Sequence, residues 1–181
     1  MRVARELFAA RGYPAVGTEE IVRQARVTRG ALYHHFDDKQ DLFRAVHEEV
    51  ERELVGAIAR QLGAIADPWE LLVTGTRSFL DACTDPAFVQ IALLDAPSVL
   101  GWEEWREIDA RYGLGLVSGS LQNAMDAGLF KPQPVRPLAH LFLAALSEAA
   151  LLIANAPDHA AARKQVELPL LALLEGLRTN G

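Results

Sequence analysis

The sequence predicts an all-α protein with a three-helix N-terminal domain and a larger helical bundle. Apolar residues recur at helical spacing along the 181 residues, and the alternating pattern of β-strands is nearly absent. Turn-forming residues divide this pattern into nine helical segments. Half of the residues are hydrophobic, which is enough to bury a substantial core.

Most of the predicted helices have a residue that begins or ends them. Gly12 suits a left-handed C-cap for the first helix, and Pro14 prevents that helix from resuming. Thr18, Thr28 and Asp38 are the expected N-caps of the next three helices. Later helices begin or end near Asp-Pro, Ala-Pro and Lys-Pro-Gln-Pro sequences. The predicted helices cover residues 1–11, 18–25, 28–35, 39–64, 68–82, 86–96, 102–127, 134–156 and 159–178.

Charge is distributed unevenly between the two predicted domains, residues 1–47 and 48–181. The first carries eight Lys and Arg against six Asp and Glu, a net +2, whereas the second carries ten against 18, a net −8. The formal total of −6 therefore conceals a mildly basic N-terminal domain. Because nucleic-acid affinity depends on where basic groups concentrate, this distribution permits DNA binding by the first domain.

Cysteine content and hydropathy bear on the compartment. Cys83 is the single cysteine, so an internal disulfide is excluded and a reducing compartment is expected. No apolar run follows a basic start as in a signal peptide, and Glu148 lies at the centre of the longest apolar stretch. We therefore expect a cytoplasmic protein that is not attached to a membrane.

Residues 17–36 predict two short helices joined by a tight turn. Ile21 and Ala25 share one helix face because they are four residues apart. Val27, in the turn, is expected to plug the junction between the helices, and Leu32 lies on the inner side of the second helix. This arrangement is typical of a helix-turn-helix motif.

The opposite side of the second helix in this motif gathers Arg29, Gly30, Tyr33 and His34. A guanidinium, an aromatic hydroxyl, an imidazole and a glycine that permits close approach together suit the DNA major groove. Lys39 begins the following helix, where a cation is unfavourable by ~0.3–1 kcal/mol because of the helix dipole. A DNA phosphate bound there by the free N–H groups and the ammonium reverses that effect.

The spacing of these residues resembles the DNA-binding domain of TetR-family regulators. The resemblance implies that residues 28–34 form the recognition helix, that Tyr33 and His34 contact DNA, and that Thr18 and Lys39 contact phosphates. It also implies an all-helical C-terminal domain that dimerises and binds an effector. The residues that carry the resemblance are Ala4, Leu7, Phe8, Gly12, Tyr13, Thr18, Ile21, Ala25, Val27, Thr28, Gly30, Leu32, Tyr33, His35, Phe36, Lys39 and Leu42.

Two features depart from the family pattern. Arg26 occupies a turn position where the family usually has glycine, so a left-handed or distorted backbone there costs about 1 kcal/mol, and we expect a phosphate contact in return. The sequence also begins late in the first helix and lacks the upstream basic residues of many members, so we expect a misassigned start or a truncated chain. The predicted partner is a palindromic DNA duplex, bound by Thr18, Arg26, Thr28, Arg29, Gly30, Ala31, Tyr33, His34 and Lys39.

An effector pocket is expected among the central helices, as the family resemblance implies. Trp102 and Trp105 are one helical turn apart beside Gly101 and Pro97, an irregular region where a cavity mouth can form. Such a pocket suits a small, largely apolar molecule. The alternative is that these aromatic residues belong to the core. The predicted lining is Phe79, Cys83, Phe88, Trp102, Trp105, Tyr112 and Leu116.

Residues 138–156 and 168–177 are apolar on nearly every side. Helices of this kind must be buried on every side. Close helix contact is allowed by the small residues Ala144, Ala145, Ala149 and Ala150. We expect these two helices to pair with their symmetry mates in a four-helix homodimer interface. The alternative is a monomer that buries both helices internally.

Neither catalytic residues nor a metal site nor a cofactor is predicted. His34 and His35 project about 100° apart on a helix, and no third ligand is suitably spaced. His47, His140 and His159 are expected to be polar groups of the surface or of a pocket. Cys83 and the remaining polar residues lack a neighbouring group that would activate a nucleophile.

The predicted function is a ligand-responsive repressor that a small effector releases from DNA. The dimer would present its recognition helices about 34 Å apart, and the effector would change that separation through the long fourth helix. In a second hypothesis the chain has the same fold but is a ligand-binding or interaction module with weak or lost specific DNA binding. Arg26, the short first helix and the net charge of −6 motivate it. A third, a helical enzyme, lacks a reactive constellation.

Overall fold

The computed structural model describes residues 1–179 and confirms the all-α prediction within that range. One isolated antiparallel bridge, between Phe130 and Arg178, is the only β pairing in this range. The helices, with the continuous segment Pro86–Leu100 taken as one, are α1 (Arg2–Arg11), α2 (Thr18–Ala25), α3 (Arg29–His35), α4 (Lys39–Leu62), α5 (Pro68–Ala82), α6 (Pro86–Leu100), α7 (Trp102–Asp126), α8 (Val135–Ala154) and α9 (His159–Glu175).

Two of the predicted helix ends differ in detail from the structure. Gly12 ends α1 with a φ of 75° but a ψ of 159°, so the chain leaves the helix extended and not in the predicted left-handed helical conformation. Gly17, and not Thr18, is the N-cap of α2, and no side chain caps this end. The prediction was one residue off because the chain turns into the helix at Gly17, which places Thr18 inside the first turn.

The N-caps of the next two helices are confirmed. The Thr28 hydroxyl accepts a hydrogen bond from the N–H of Ala31 at 3.1 Å. The Asp38 carboxylate accepts one from the N–H of Asp41 at 2.7 Å. Each bond satisfies an N–H group that has no partner within its own helix.

Helix α6 continues beyond residue 96, where the sequence prediction ended it. Its middle part, Val89–Asp95, is π-helical, and the N–H of Ala96 donates to the carbonyl of Ile91, five residues earlier. The chain then continues as α-helix over Ala96–Leu100. The wider turn accommodates Pro97, because proline has no N–H to donate and its ring clashes with the carbonyl four residues back in an ordinary α-helix.

The first compact unit comprises residues 1–51 and 85–108. Its core contains the buried rings of Phe8 and Phe43, which meet edge to face with 5.3 Å between ring centroids. The indole N–H of Trp105 donates to the carbonyl of Ala92 at 3.0 Å. Residues 85–108 therefore complete the core of the unit that contains the N-terminal helices.

The second compact unit comprises residues 52–84 and the described residues from Asp109 onward. Leu80, Leu121 and Leu174 are fully buried in it. Arg163, on α9, forms an ion pair with Asp81 at 2.7 Å and another with Glu167. The predicted division into residues 1–47 and 48–181 concerns function and stays a prediction, since the packing units do not follow the order of the chain.

Helix α8 is the one described helix that is long and apolar enough to cross a membrane by length and composition. Half of its apolar window is buried within the protein, as in the core helix of a soluble protein. Because it carries Glu148 and half of it is covered by the same chain, its composition is weak support for a membrane span.

Candidate DNA-binding interface

The helices α2 and α3 pack through a small apolar contact that orients the outer face of α3. Ile21 and Leu32 are buried on their inner sides. Val27 is 46% exposed, so the prediction that it plugs the junction between the helices is wrong. Val27 follows the left-handed Arg26, and the buried side chains of the two helices are Ile21 and Leu32.

The turn between α2 and α3 is built on Arg26. Its backbone is left-handed, with φ 55° and ψ 38°, and among the described residues it is the one non-glycine with positive φ. This confirms the conformation expected where the family has glycine. The N–H of Val27 closes the turn by donating to the carbonyl of Val22 at 3.1 Å. The Arg26 side chain is exposed, as a phosphate contact would require.

The outer face of α3 presents an ordered pair of side chains to solvent. The Arg29 guanidinium lies 5.4 Å from the centre of the Tyr33 ring, a cation–π contact that limits the freedom of both groups. The Tyr33 hydroxyl donates to the Thr18 hydroxyl of α2 at 3.4 Å. Three residues that sequence reasoning assigned to DNA are thus brought together by the fold.

The remaining predicted residues of this face are also accessible. Gly30 and Ala31 are exposed in the first turn of α3, and a Cβ atom at Gly30 would meet only the Thr28 hydroxyl, 3.9 Å away. His34 is exposed next to His35, with 5.2 Å between ring centroids. No group of three or more His, Cys, Asp or Glu in residues 1–179 is arranged to hold a metal ion.

The Lys39 ammonium is held by the α1–α2 turn. Its Nζ donates to the Tyr13 carbonyl at 2.7 Å and lies 3.9 Å from the centre of the Tyr13 ring. Burial lowers the pKa of Lys39, and the nearby Asp95 carboxylate opposes that shift. An ammonium has three donors, so the Tyr13 contact leaves others for the predicted phosphate contact, which stays a prediction.

Sequence reasoning missed the residues that hold the α1–α2 turn. Arg11 donates to the Ala15 carbonyl and to the Glu20 carboxylate, both at 2.7 Å. The N–H of Tyr13 donates to the Asp95 carboxylate at 2.7 Å. The signal in the sequence was Asp95 itself, a lone carboxylate within an apolar run, which indicates a charged group that must find a partner on burial.

His47 is a correction to the expected role of the histidines. It was expected at the surface or in a pocket, but its side chain is completely buried in the first unit. Neither ring nitrogen has a hydrogen-bond partner among the described residues. Desolvation lowers the pKa of His47 to about 4, and the negative charge of Glu104 acts in the opposite direction. The ring is therefore neutral at physiological pH.

The residues predicted to line an effector pocket are divided between the two units. Phe88 and Trp105 are buried in the first unit, whereas Trp102 is 56% exposed. Phe79, Cys83, Tyr112 and Leu116 belong to the second unit.

The second unit has a cavity of about 260 Å³ that includes Leu116 and none of the other predicted lining residues. The effector site therefore stays a prediction. The cavity is lined by Leu62, Gly63, Leu71, Gly115, Leu116, Gly119, Ser120 and Asn123.

Two family models together match most of the chain. Residues 1–46 match the model of bacterial regulatory proteins of the tetR family. Residues 69–177 match the tetracyclin repressor-like C-terminal domain. The first match contains the complete helix-turn-helix described above.

Known proteins show the same relationship. The chain is 29% identical to the transposon Tn10 TetC protein of Escherichia coli over 128 residues, or 71% of this chain and 64% of that protein. It is 35% identical to the transcriptional activator FasR of Mycolicibacterium smegmatis over 78 residues, or 43% of this chain and 36% of that protein. The chain thus matches less than two thirds of the length of either relative.

A solved structure matches over nearly the whole chain. It is a TetR-family transcriptional regulator from Pectobacterium atrosepticum, which is 31% identical and superimposes with a TM-score of 0.89. The match covers 99% of this chain and 92% of the other. The chain therefore belongs to the TetR family of transcriptional regulators, which are not enzymes.

Proposed function

We propose that this protein is a ligand-responsive repressor whose α3 helix reads the major groove of a palindromic operator. The observation that carries the proposal is the exposed Arg29–Tyr33 pair, which is tied to Thr18 on the neighbouring helix. A preorganised guanidinium and phenol can reach base edges or phosphates without first losing rotamer freedom. Arg26 and Lys39, beside α3, supply the positive charge for backbone contacts.

A homodimer is supported by leucines that the single chain leaves in solvent. Leu141 and Leu152 on α8 are 71% and 54% exposed, and Leu168 and Leu173 on α9 are 74% and 58% exposed. Leucine is normally buried, and an exposed apolar face of this kind marks an interaction surface. We propose that a second copy of the chain covers these helices, and that the dimer acts in the cytoplasm, where its DNA lies.

The proposed effector is a small, largely apolar molecule. The cavity of the second unit supports this class, because its walls are leucine side chains and glycine backbone with Ser120 and Asn123 as polar groups. Its volume of about 260 Å³ suits a small ligand. Repression is the proposed direction of control, although the relative FasR is named as an activator.

The proposal is tested by selecting DNA with the purified protein from a library of randomised duplexes. We expect enrichment of a palindrome whose half-sites are about one helical turn apart, or a multiple of it. Arg29→Ala and Tyr33→Ala should each weaken binding to the enriched duplex by about tenfold or more, which is the effect of losing one good base contact. Arg60→Ala, which removes an exposed arginine from the far end of α4, is the matched control and should bind like the wild type.

Two outcomes would contradict the proposal. If no sequence is enriched, the chain is a TetR-like ligand-binding or interaction module without specific DNA recognition. If the enriched duplex binds both α3 variants as tightly as the wild type, the reading face is elsewhere. Promoter activity in cells with and without the regulator then separates repression from activation.

A further inference from the structure

The backbone of Tyr13 is held at both its N–H and its carbonyl. Tyr13 lies in the turn between α1 and α2, and its N–H donates to the Asp95 carboxylate at 2.7 Å. Its carbonyl accepts a hydrogen bond from the Lys39 ammonium, also at 2.7 Å. One residue of the turn is therefore fixed by an anion from α6 and a cation from α4, all within the first compact unit.

The burial of Asp95 makes this contact strong. Asp95 is only 6% exposed, and a buried carboxylate is stable only when hydrogen bonds and an opposite charge compensate for the lost water. The Tyr13 N–H supplies the hydrogen bond. Lys39 supplies the opposite charge, since Asp95 acts to raise the pKa of its ammonium.

The residue before Tyr13 and the helix that carries Asp95 both have unusual backbone geometry. Gly12 precedes Tyr13 with a φ of 75°, and a Cβ atom there would be 3.1 Å from Nε2 of Gln90 and 3.6 Å from the Asp95 carboxylate. The positive φ favours glycine at this position, whereas the distance to the carboxylate is an ordinary van der Waals contact. The π-helical part of α6 ends at Asp95 and shifts the residues after it by about 100° relative to an α-helix, because a wide turn contains one additional residue.

We propose that Asp95 is a positioning residue for DNA recognition. It holds the Tyr13 backbone and thereby fixes the turn that leads into α2 and the recognition helix α3, and it does not itself contact DNA. Lys39 holds the carbonyl of the same residue, and its predicted phosphate contact is a separate role that Asp95 does not share. This inference rests on the proposed function, because it assigns a role in binding the same operator.

The test compares two substitutions of Asp95. In Asp95→Leu the Tyr13 N–H loses its acceptor, and we expect about tenfold weaker binding to the enriched duplex. In Asp95→Asn the amide oxygen can still accept that hydrogen bond, so most of the affinity should be retained. Glu103→Gln, an exposed carboxylate of the same unit, is the matched control for loss of one negative charge.

The dependence of DNA affinity on salt distinguishes a residue that positions other groups from a residue that itself contacts a phosphate. Asp95→Leu should leave the slope of log Kd against log salt unchanged, and also the weak binding to an unselected duplex, because no phosphate contact is lost. Lys39→Met should reduce the magnitude of that slope by about one, the change expected when one phosphate contact is lost. A thermal unfolding curve of each variant confirms that it is folded under the binding conditions.

The results distinguish this inference from the proposed function. Failure of the wild type to enrich any duplex overturns both. Enrichment by the wild type, with a folded Asp95→Leu protein that binds the enriched duplex equally well, overturns the role of Asp95 alone. A parallel loss of enriched and unselected binding, or an Asp95→Asn variant as weak as Asp95→Leu, also overturns it.

Discussion

The imidazole of His47 shows how one residue can set the response of the fold to acid. Its ring is completely buried, and both nitrogens lack hydrogen-bond partners among the described residues. Protonation would place an additional charge in the interior, and the nearby carboxylate of Glu104 only partly compensates for it. Folding therefore favours the neutral ring, whereas the unfolded chain takes up a proton near pH 6.5.

We predict that His47 makes the protein less stable in mild acid. Since its folded pKa of about 4 is below the unfolded value, its contribution is fully present above pH 6.5 and is lost as the pH falls towards 4. The total loss is about 3 kcal/mol. Urea unfolding of the wild type and of His47→Met between pH 7.5 and 4.5 measures it.

The control for this experiment is His35→Gln, because His35 is exposed on α3 in the same unit as His47. That variant should follow the pH dependence of the wild type. His47→Met should lose less stability than the wild type across the same interval. Identical curves for wild type and His47→Met would show that other groups cause the acid sensitivity.

At the scale of elements, the order of the first four helices and the N-caps of α3 and α4 could be read from the sequence. Thr28 and Asp38 cap the helices that were expected to begin there, because an N-cap acts through a side chain and an N–H group only a few residues away. These caps are local, so a single sequence contains them. The backbone at Arg26 was expected instead from the family resemblance, because the family usually has glycine there.

The elements that could not be predicted depend on distant parts of the chain. The pairing of Tyr13 with Asp95 joins residues that are 82 positions apart. The π-helical part of α6, Val89–Asp95, and the α-helix that follows it past Pro97 were not predicted either. The type and position of Val27 predicted that it fills the junction between α2 and α3. It is exposed instead, because burial depends on how the two helices pack. For the site, residue types on α3 were predictable, and the contacts that position them were not.

The turn between α2 and α3 gives a prediction for the relative stability of glycine and alanine variants. Glycine should be the more stable of the two in the turn, and alanine inside α2. At Arg26, with its positive φ, Arg26→Gly should be about 1 kcal/mol more stable than Arg26→Ala, because alanine keeps the left-handed strain. At Arg23, inside α2, the Ala variant should be the more stable by about 1 kcal/mol. Urea unfolding of the four variants measures both differences. An advantage for alanine at both positions would contradict the strain at Arg26.

At the scale of the whole molecule, the exposed leucines of α8 and α9 predict self-association. Leu141→Glu or Leu168→Glu should weaken the dimer, because a buried leucine contributes about 1.5–3 kcal/mol and each change occurs twice in a symmetric interface. The dimer dissociation constant should rise by about 100-fold or more. Sedimentation over a range of protein concentrations measures it.

Leu94→Glu is the matched control, because Leu94 is also an exposed leucine but lies on α6 in the first unit. It should leave association unchanged. A monomeric wild type, or equal weakening by all three changes, would show that the α8 and α9 leucines do not form the interface. If the wild type is monomeric, a partner other than a second copy of the chain would have to cover the exposed leucines.

The first unit is built from two separate stretches of the chain, and this affects the design of chimeric proteins. Residues 1–51 share their core with residues 85–108, so a fragment cut after α4 begins would lack part of its own interior. A chimera that transplants only the N-terminal helices into a relative also separates Tyr13 from the Asp95 with which it folded. A design that aims to exchange the proposed operator specificity should therefore move both stretches of sequence together.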